Sequence, residues 1–405
     1  MLLGSTLLFA TPQAGVARED LADEGGWFTL EGATGEWGGW RQRLNALGVA
    51  PALNYTADLL VNPLGGERQD AAYAAQFYGS VTLDLETIAG LPGLSFYAAA
   101  AWDQGRDLSD EAIGNIFDVA EVESGLGFGL AEVYLQQTLW DDRLSLAAGR
   151  LASGDDFATV ESFGYYVNAA INSNPLTLEV NAPAFTAQPY TQWGVRTALQ
   201  LGQQVTLKAG AYNSDLSSEL KERHGTSYAF DLDQGVLAIA EIDYASGTTL
   251  PGHYLFGGYY DSSVFTVLAD PGESERGSYG FYAIAEQQVY REPIGREGQG
   301  LTAWAALTLS PESRVNTLPV GAFAGLLYRG LLPGHARDTT GLAAYYGRFS
   351  DDLPDQSYEL VLEANHRFQF APWFYLAPVA QYVVNPNGQG IPNAAVFGME
   401  VGIDF

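Results

Sequence analysis

The sequence predicts an all-β protein, a closed antiparallel transmembrane β-barrel of about 16 strands with short periplasmic turns, long extracellular loops and a short N-terminal helix. Three observations point there. Segments of alternating apolar and polar residues recur from residue 49 to the C-terminus. The links between them alternate short and long. Beyond the N-terminus no stretch approaches the roughly 20 apolar residues of a membrane helix, so a chain that crosses a bilayer must close into a barrel.

The last strand shows the alternation most plainly. In FGMEVGIDF (397–405), Phe397, Met399, Val401, Ile403 and Phe405 alternate with Gly398, Glu400, Gly402 and Asp404. Residues 373–385 set Phe374, Leu376, Ala380 and Tyr382 against Tyr375 and Gln381. Residues 357–370 set Tyr358, Leu360, Leu362 and Phe368 outward, opposite Glu359, Glu363, Asn365 and Arg367. Similar segments occupy 338–350, 317–329, 299–310, 278–290, 252–264, 234–245, 204–213 and 190–202. Toward the N-terminus follow 143–151, 129–140, 94–103, 75–86 and 49–62.

Periodicity alone also fits a soluble sandwich, so the links decide. LWDDR, LGQQ and FAPW are tight, whereas 104–128, 152–189 and 214–233 are long. Short turns at one rim and long loops at the other suit an outer-membrane barrel. No internal repeat of propeller type occurs. An even strand count puts both ends on the periplasmic side, with Phe405 in the lower aromatic girdle. A chain of 405 residues could hold one large domain or two ordinary ones. The pattern divides it into residues 1–17, 18–48 and a barrel over 49–405. Residues 1–17 read as the back half of a secretory signal peptide without its basic leading region, ending at Gly15-Val16-Ala17. In residues 18–48, WGGWRQRLNALG (37–48) puts Trp40, Leu44 and Leu47 at helical spacing, and Gly48 can end the turn. This is either a helix at the barrel mouth or a docked arm with no part in transport.

Composition agrees. With 47 Gly, 23 Tyr, 20 Phe and 8 Trp the chain suits strands and turns rather than a helical bundle. A net charge of −29 excludes nucleic acid as a partner, because a polyanion needs a basic stripe. Zero Cys excludes disulfide frameworks and thiolate metal sites. Only 17% of residues are charged and 47% are hydrophobic, which argues against disorder.

Several stretches resemble the carbohydrate-selective porin (OprB-type) family of bacterial outer membranes. They are GEWGGWRQRLNALGV (35–49), GLLYRGLLPGHARDTTGLAAYYGRFS (325–350) and YELVLEANHRFQFAPWFYLAPVAQYVVNPNGQG (358–390) with the terminal strand. Shorter similarities are AEVYLQQTLWDDRLSLAAGRL (131–151) and TQWGVRTAL (191–199). The resemblance implies passive uptake of sugars through a pore of about sixteen strands. It also implies that the C-terminal Phe405 is read by the barrel assembly machinery, and analogy with porins suggests a homotrimer.

A sugar channel needs hydrogen-bond donors and acceptors and aromatic faces, but no reaction. Parity nominates Arg196, Lys208, Glu132, Tyr134 and Trp304 as lumen-facing. Arg150 shares parity with Leu144 and Leu146, so it lines the pore only if a bulge turns it inward; otherwise it lies at the interface. Glu359, Glu363 and Arg367 recur every four residues, roughly 13 Å apart at about 3.3 Å per residue. That is too far for a carboxylate pair working on one bond, and suits charges bracing the wall or touching solute. The segment 152–189 is the longest link and carries Asp155, Asp156, Glu161 and Glu179 but no Lys or Arg. Folded inward, it would form an eyelet, an acidic loop facing Arg196 and Lys208 across a transverse field.

The enzyme reading is weak. His224, His253, His335 and His366 are scattered, no G-x-S-x-G occurs, and GLGFGL (125–130) opens no βαβ unit. DLSDE (107–111) lacks a calcium-loop signature. No catalytic residue, cofactor or metal is expected. The other readings are a general, weakly cation-selective pore and, from another class, an outer-membrane enzyme or adhesin.

Overall fold

The structure, a computed structural model, describes residues 27–122, 127–214, 224–226, 232–247, 249–293 and 298–405. The expected signal segment 1–17 lies outside the described residues. The wall begins with β1 (Val49–Leu64), β2 (Ala71–Asp84), β3 (Leu94–Gly105), β4 (Gly127–Leu139), β5 (Leu144–Leu151) and β6 (Gln192–Leu201). It continues through β7 (Val205–Asn213), β8 (Val236–Ser246), β9 (Gly252–Val267), β10 (Asp270–Arg291) and β11 (Gly300–Leu309). The last five are β12 (Val320–Arg329), β13 (Thr339–Arg348), β14 (Tyr358–Ala371), β15 (Phe374–Val384) and β16 (Ala394–Asp404). Each strand pairs antiparallel with the next, and β1 pairs with β16, so the ring of sixteen is closed. Closure leaves no free edge, as a bilayer requires.

The alternation read from sequence becomes two faces. Along β14, Tyr358, Leu362 and Phe370 are exposed to the outside while Glu359, Glu363 and Asn365 are buried within. The link between the expected strands 252–264 and 278–290 is mostly strand. β9 and β10 run on as a hairpin turning at residues 268–269, so β10 reaches 22 residues. Three short helices occur: α1 (Trp40–Ala46) and α2 (Leu85–Ala89) at the opposite rim, and α3 (Thr177–Asn181) inside the barrel. Asp84 starts α2 by accepting hydrogen bonds from the Glu86 and Thr87 amides, which satisfies two otherwise orphaned donors.

The interior is not an empty tube. Residues 106–122 and 152–191, which follow β3 and β5, fold into the barrel and pack on its inner wall. Phe117, Phe157, Phe163, Tyr166 and Phe185 are all fully buried, against Tyr282, Trp304, Phe323 and Tyr345 of the wall. Small wall residues make room for them. A Cβ on Gly325 would lie 2.5 Å from the Trp304 indole, so the ring fits only because that position is glycine.

Candidate functional site: a pore narrowed from within

The inward segments have little regular structure, so their backbone N–H groups need acceptors. Wall glutamates supply them. Glu359 accepts from the Ile116 and Phe117 amides at 3.0 and 2.8 Å. Glu363 accepts from Val167 and Asn168 at 2.9 and 3.1 Å. Glu241 accepts from Ala158 and Glu286 from Ser162, each at 2.8 Å. Carboxylate acceptors make stronger hydrogen bonds than neutral ones, so these contacts fix where the segments lie.

One edge of the long segment is tied to basic residues. Arg196 donates to the Asp156 carboxylate at 3.0 Å, to Ser145 at 2.8 Å and to Gln136 at 2.8 Å. Lys208 donates to the Asp156 carbonyl at 3.0 Å and to Glu241 at 2.9 Å, with Asp243 at 3.3 Å. Both cations are consumed by protein partners. Beside them burial pushes the Asp155 carboxyl up to about 7, against a lowering hydrogen bond from Gln188. Burial also raises Asp156, with Arg196 and Lys208 opposing it.

The other edge is more open. Tyr165 stands half-buried between two guanidinium groups. Arg329 lies 5.8 Å and Arg367 4.9 Å from its ring centre, and Arg367 lies 4.0 Å from the Tyr375 ring. Arg329 also donates to the Tyr165 hydroxyl at 2.7 Å and pairs with the exposed Glu161 at 3.3 Å. Arg367 donates to the Gly164 carbonyl at 3.0 Å and pairs with Glu400 at 3.3 Å. Glu400 faces Asp58 directly across the β1–β16 seam. Glu121, from the shorter inward segment, meets them there. Burial, with Glu400 and Asp58 beside it, pushes Glu121 well above the ordinary carboxylate range. Arginines, phenol rings and the exposed Glu161 therefore border one half-open passage, with Glu400 and Asp58 buried in the wall beside it; it offers polar hydrogen bonding and flat apolar surface together.

A family model described as "Carbohydrate-selective porin, OprB family" matches residues 68–405. The chain belongs to that family. It is an outer-membrane porin, and the closed sixteen-stranded barrel fits that membership. It is 25% identical to Porin B of Pseudomonas aeruginosa over 91% of this chain and 90% of that protein. It is 21% identical to the putative porin QuiX of Acinetobacter baylyi, over 92% of each. The high-pH structure of Pseudomonas putida OprB superposes with a TM-score of 0.85 at 24% identity, covering 93% of this chain and 99% of that one. The low-pH structure of the same protein gives 0.64 at 20% identity, with the same coverage. At these identities the two structures speak for the fold.

The porin's geometry corrects several expectations for single residues. Arg150 does not line the pore. β5 pairs with both neighbours without a bulge, so Arg150 keeps the outward parity of Leu144 and Leu146, between Val133 and Trp193. It is buried there, and its guanidinium donates to the carbonyl of Gly225, whose neighbour His224 accepts from the Leu130 amide of β4. Trp304 points inward as expected but is covered; its indole N–H donates to the Tyr166 hydroxyl at 2.9 Å under the long segment. Glu359 and Glu363 brace the inward segments rather than meet solute. Glu132 is likewise covered, accepting from Tyr78 at 3.1 Å and from the Ala152 amide at 3.4 Å. Tyr134 stacks on Tyr97 with centres 5.0 Å apart. The transverse field expected between Asp156 and Arg196 is closed into a contact ion pair.

Two histidines that are far apart in sequence come together, His335 at 2.8 Å and His366 at 3.5 Å from Asp338. No group of three His, Cys, Asp or Glu residues able to hold a metal occurs among the described residues.

Sequence reasoning missed Tyr165, Arg329 and the buried inner-wall carboxylates Asp58 and Glu400. For the last three, strand parity carried the signal. Tyr165 lies in an aperiodic segment and had none.

Proposed function

We propose that small carbohydrates diffuse through this porin along the passage bounded by Tyr165, Arg329, Arg367 and Tyr375. The observation that carries the proposal is the half-open Tyr165 ring held between two guanidinium groups, with Glu161 and Glu400 beside them. A pyranose presents an apolar C–H face and a rim of hydroxyls. The phenol ring suits the face, and fixed donors and acceptors at the edge can exchange with the rim. Because such contacts are neutral in net charge, they favour a polyhydroxylated solute over a simple ion. The description of the family as carbohydrate-selective supports the same solute class. The constriction is the long inward segment, assisted by the shorter one.

The test is single-channel recording in planar bilayers with a mono- or disaccharide on one side. Concentration-dependent interruption of the ion current is expected. Current that ignores sugars up to high concentration, together with plain cation preference, would mean a general diffusion pore.

A further inference from the structure

We infer that residues 27–48 together with α2 form an interfacial foot, which seats the periplasmic end of the barrel in the phospholipid headgroup layer of the membrane's inner leaflet. Helix α1 is short and carries its apolar residues on one side. With about 100° between successive residues, Trp40, Leu44 and Leu47 share a face, while Gln42 and Asn45 lie opposite. A helix docked on a water-bathed protein surface would turn that face toward the protein. Here Trp40 is 60% and Leu47 64% exposed. The residue turned to the barrel is Arg41, whose guanidinium donates to the Phe405 carbonyl. The stripe extends sideways: Gly48 packs on Thr87 and Ile88 of α2, and Ile88 and Leu91 are exposed in turn.

What covers this surface follows from its continuity with the lipid-facing wall. Phe370, outward on β14, stacks on Phe374 with centres 5.6 Å apart, and Phe374 meets Trp373 at 5.7 Å. Trp373 packs on Trp27 at 4.3 Å and on Phe28 at 6.0 Å, and both of those rings are about half exposed. One run of aromatic rings thus leads from the hydrocarbon boundary onto the arm. The arm cannot drop away from that height, because the Ala33 amide donates to the Asp404 carbonyl at 2.8 Å and Arg41 holds Phe405. Two cations stand over exposed indoles, Arg41 over Trp37 at 4.8 Å and Arg43 over Trp40 at 5.2 Å. A ring at the acyl boundary with a cation reaching the phosphates is the arrangement that interfaces favour. An apolar patch left in water at this rim would be a liability.

The chain has no Cys, so single-cysteine variants give clean labelling sites. An environment-sensitive fluorophore would be attached at Trp40→Cys, Leu47→Cys, Gln42→Cys and Asn45→Cys, with Ile88→Cys as a position outside α1. Each variant is checked for heat-modifiable folding and placed in phospholipid vesicles with or without brominated acyl chains. The foot predicts blue-shifted emission and quenching by brominated lipid at positions 40, 47 and 88, and water-like emission without quenching at 42 and 45. Water-like emission at all five would overturn it, leaving the arm in the periplasm. Shielding that rises with protein density but ignores brominated lipid would also overturn it, in favour of a second copy on this face.

Discussion

The long inward segment has two edges, each meeting arginine, and they do different work. At the Asp156 edge Arg196 is 6% exposed and each of its three guanidinium nitrogens donates to protein. At the Tyr165 edge Arg329 and Arg367 keep part of their surface open and lie over aromatic rings; Arg329 pairs with the exposed Glu161 and Arg367 with the buried Glu400. The first edge is a fastening and the second is a surface. Inward direction and charge are common to both, so neither property distinguishes anchor from lining. What distinguishes them is whether the segment's own backbone and side chains have already filled the residue's hydrogen-bonding capacity.

The comparison breaks most readily at Arg196. Removing one member of a buried ion pair leaves the other without compensation, at about 3–5 kcal/mol. Arg196→Ala should therefore loosen the segment, with lower thermal stability and a larger, noisier conductance. Arg329→Ala should melt close to the parent protein and lose sugar block instead. Equal loss of stability in the two variants would show that the edges are equivalent, against the distinction drawn above.

A second contrast sets the outer wall against the inner. Leu362 faces lipid near the middle of β14, next to the lumen residue Glu363. Leu362→Arg should cost about 2–4 kcal/mol in refolding into vesicles. Glu363→Gln keeps its shape and one acceptor oxygen, and should cost about 1–2 kcal/mol by weakening its bonds to Val167, Asn168 and Tyr345. If the glutamine variant is the harder to fold, bracing of the inward segment outweighs the lipid-facing wall.

The wall was legible in the sequence because a half-buried strand must alternate, and every expected strand appears within about four residues of its place except β10, which starts eight residues earlier. Parity also turned Arg196, Lys208 and Trp304 the right way. It could not tell that Phe163, Tyr166 and the Asp156 carboxylate would cover them, because those come from a segment with no period. Gly325 shows the same limit from the other side. Its missing side chain makes the slot for Trp304, yet a glycine in a strand gives no hint of which ring will arrive. Arg150 was open to two readings on sequence; the unbulged ladder and a contact from Gly225, far along the chain, decided it.

Tyr165→Ala sharpens the functional half of the comparison. Losing the flat contact surface should weaken sugar block about fivefold, the equivalent of about 1 kcal/mol, with ion conductance rising slightly. Tyr165→Phe keeps the ring and loses only the hydroxyl bond from Arg329, so it should retain most of the block. If phenylalanine fails as badly as alanine, hydrogen bonding rather than the ring face carries recognition.

The smallest expected effect is electrostatic. Asp155 lies on the segment's fastened edge, beside Asp156, and burial holds its carboxyl near 7. It is neutral below that value and gains its negative charge as pH rises through it. Glu121 of the shorter inward segment is also raised by burial, and histidines change charge in the same range, so a change in ion preference between about pH 6 and about pH 8 sums several groups. Asp155→Asn separates them. In the parent protein the reversal potential in a KCl gradient should shift toward stronger cation preference as pH rises, because a negative charge is being added to the passage. In Asp155→Asn the shift should be reduced. An unchanged pH profile in the variant would place the Asp155 carboxylate out of reach of permeating ions, and would make the fastened edge wholly structural.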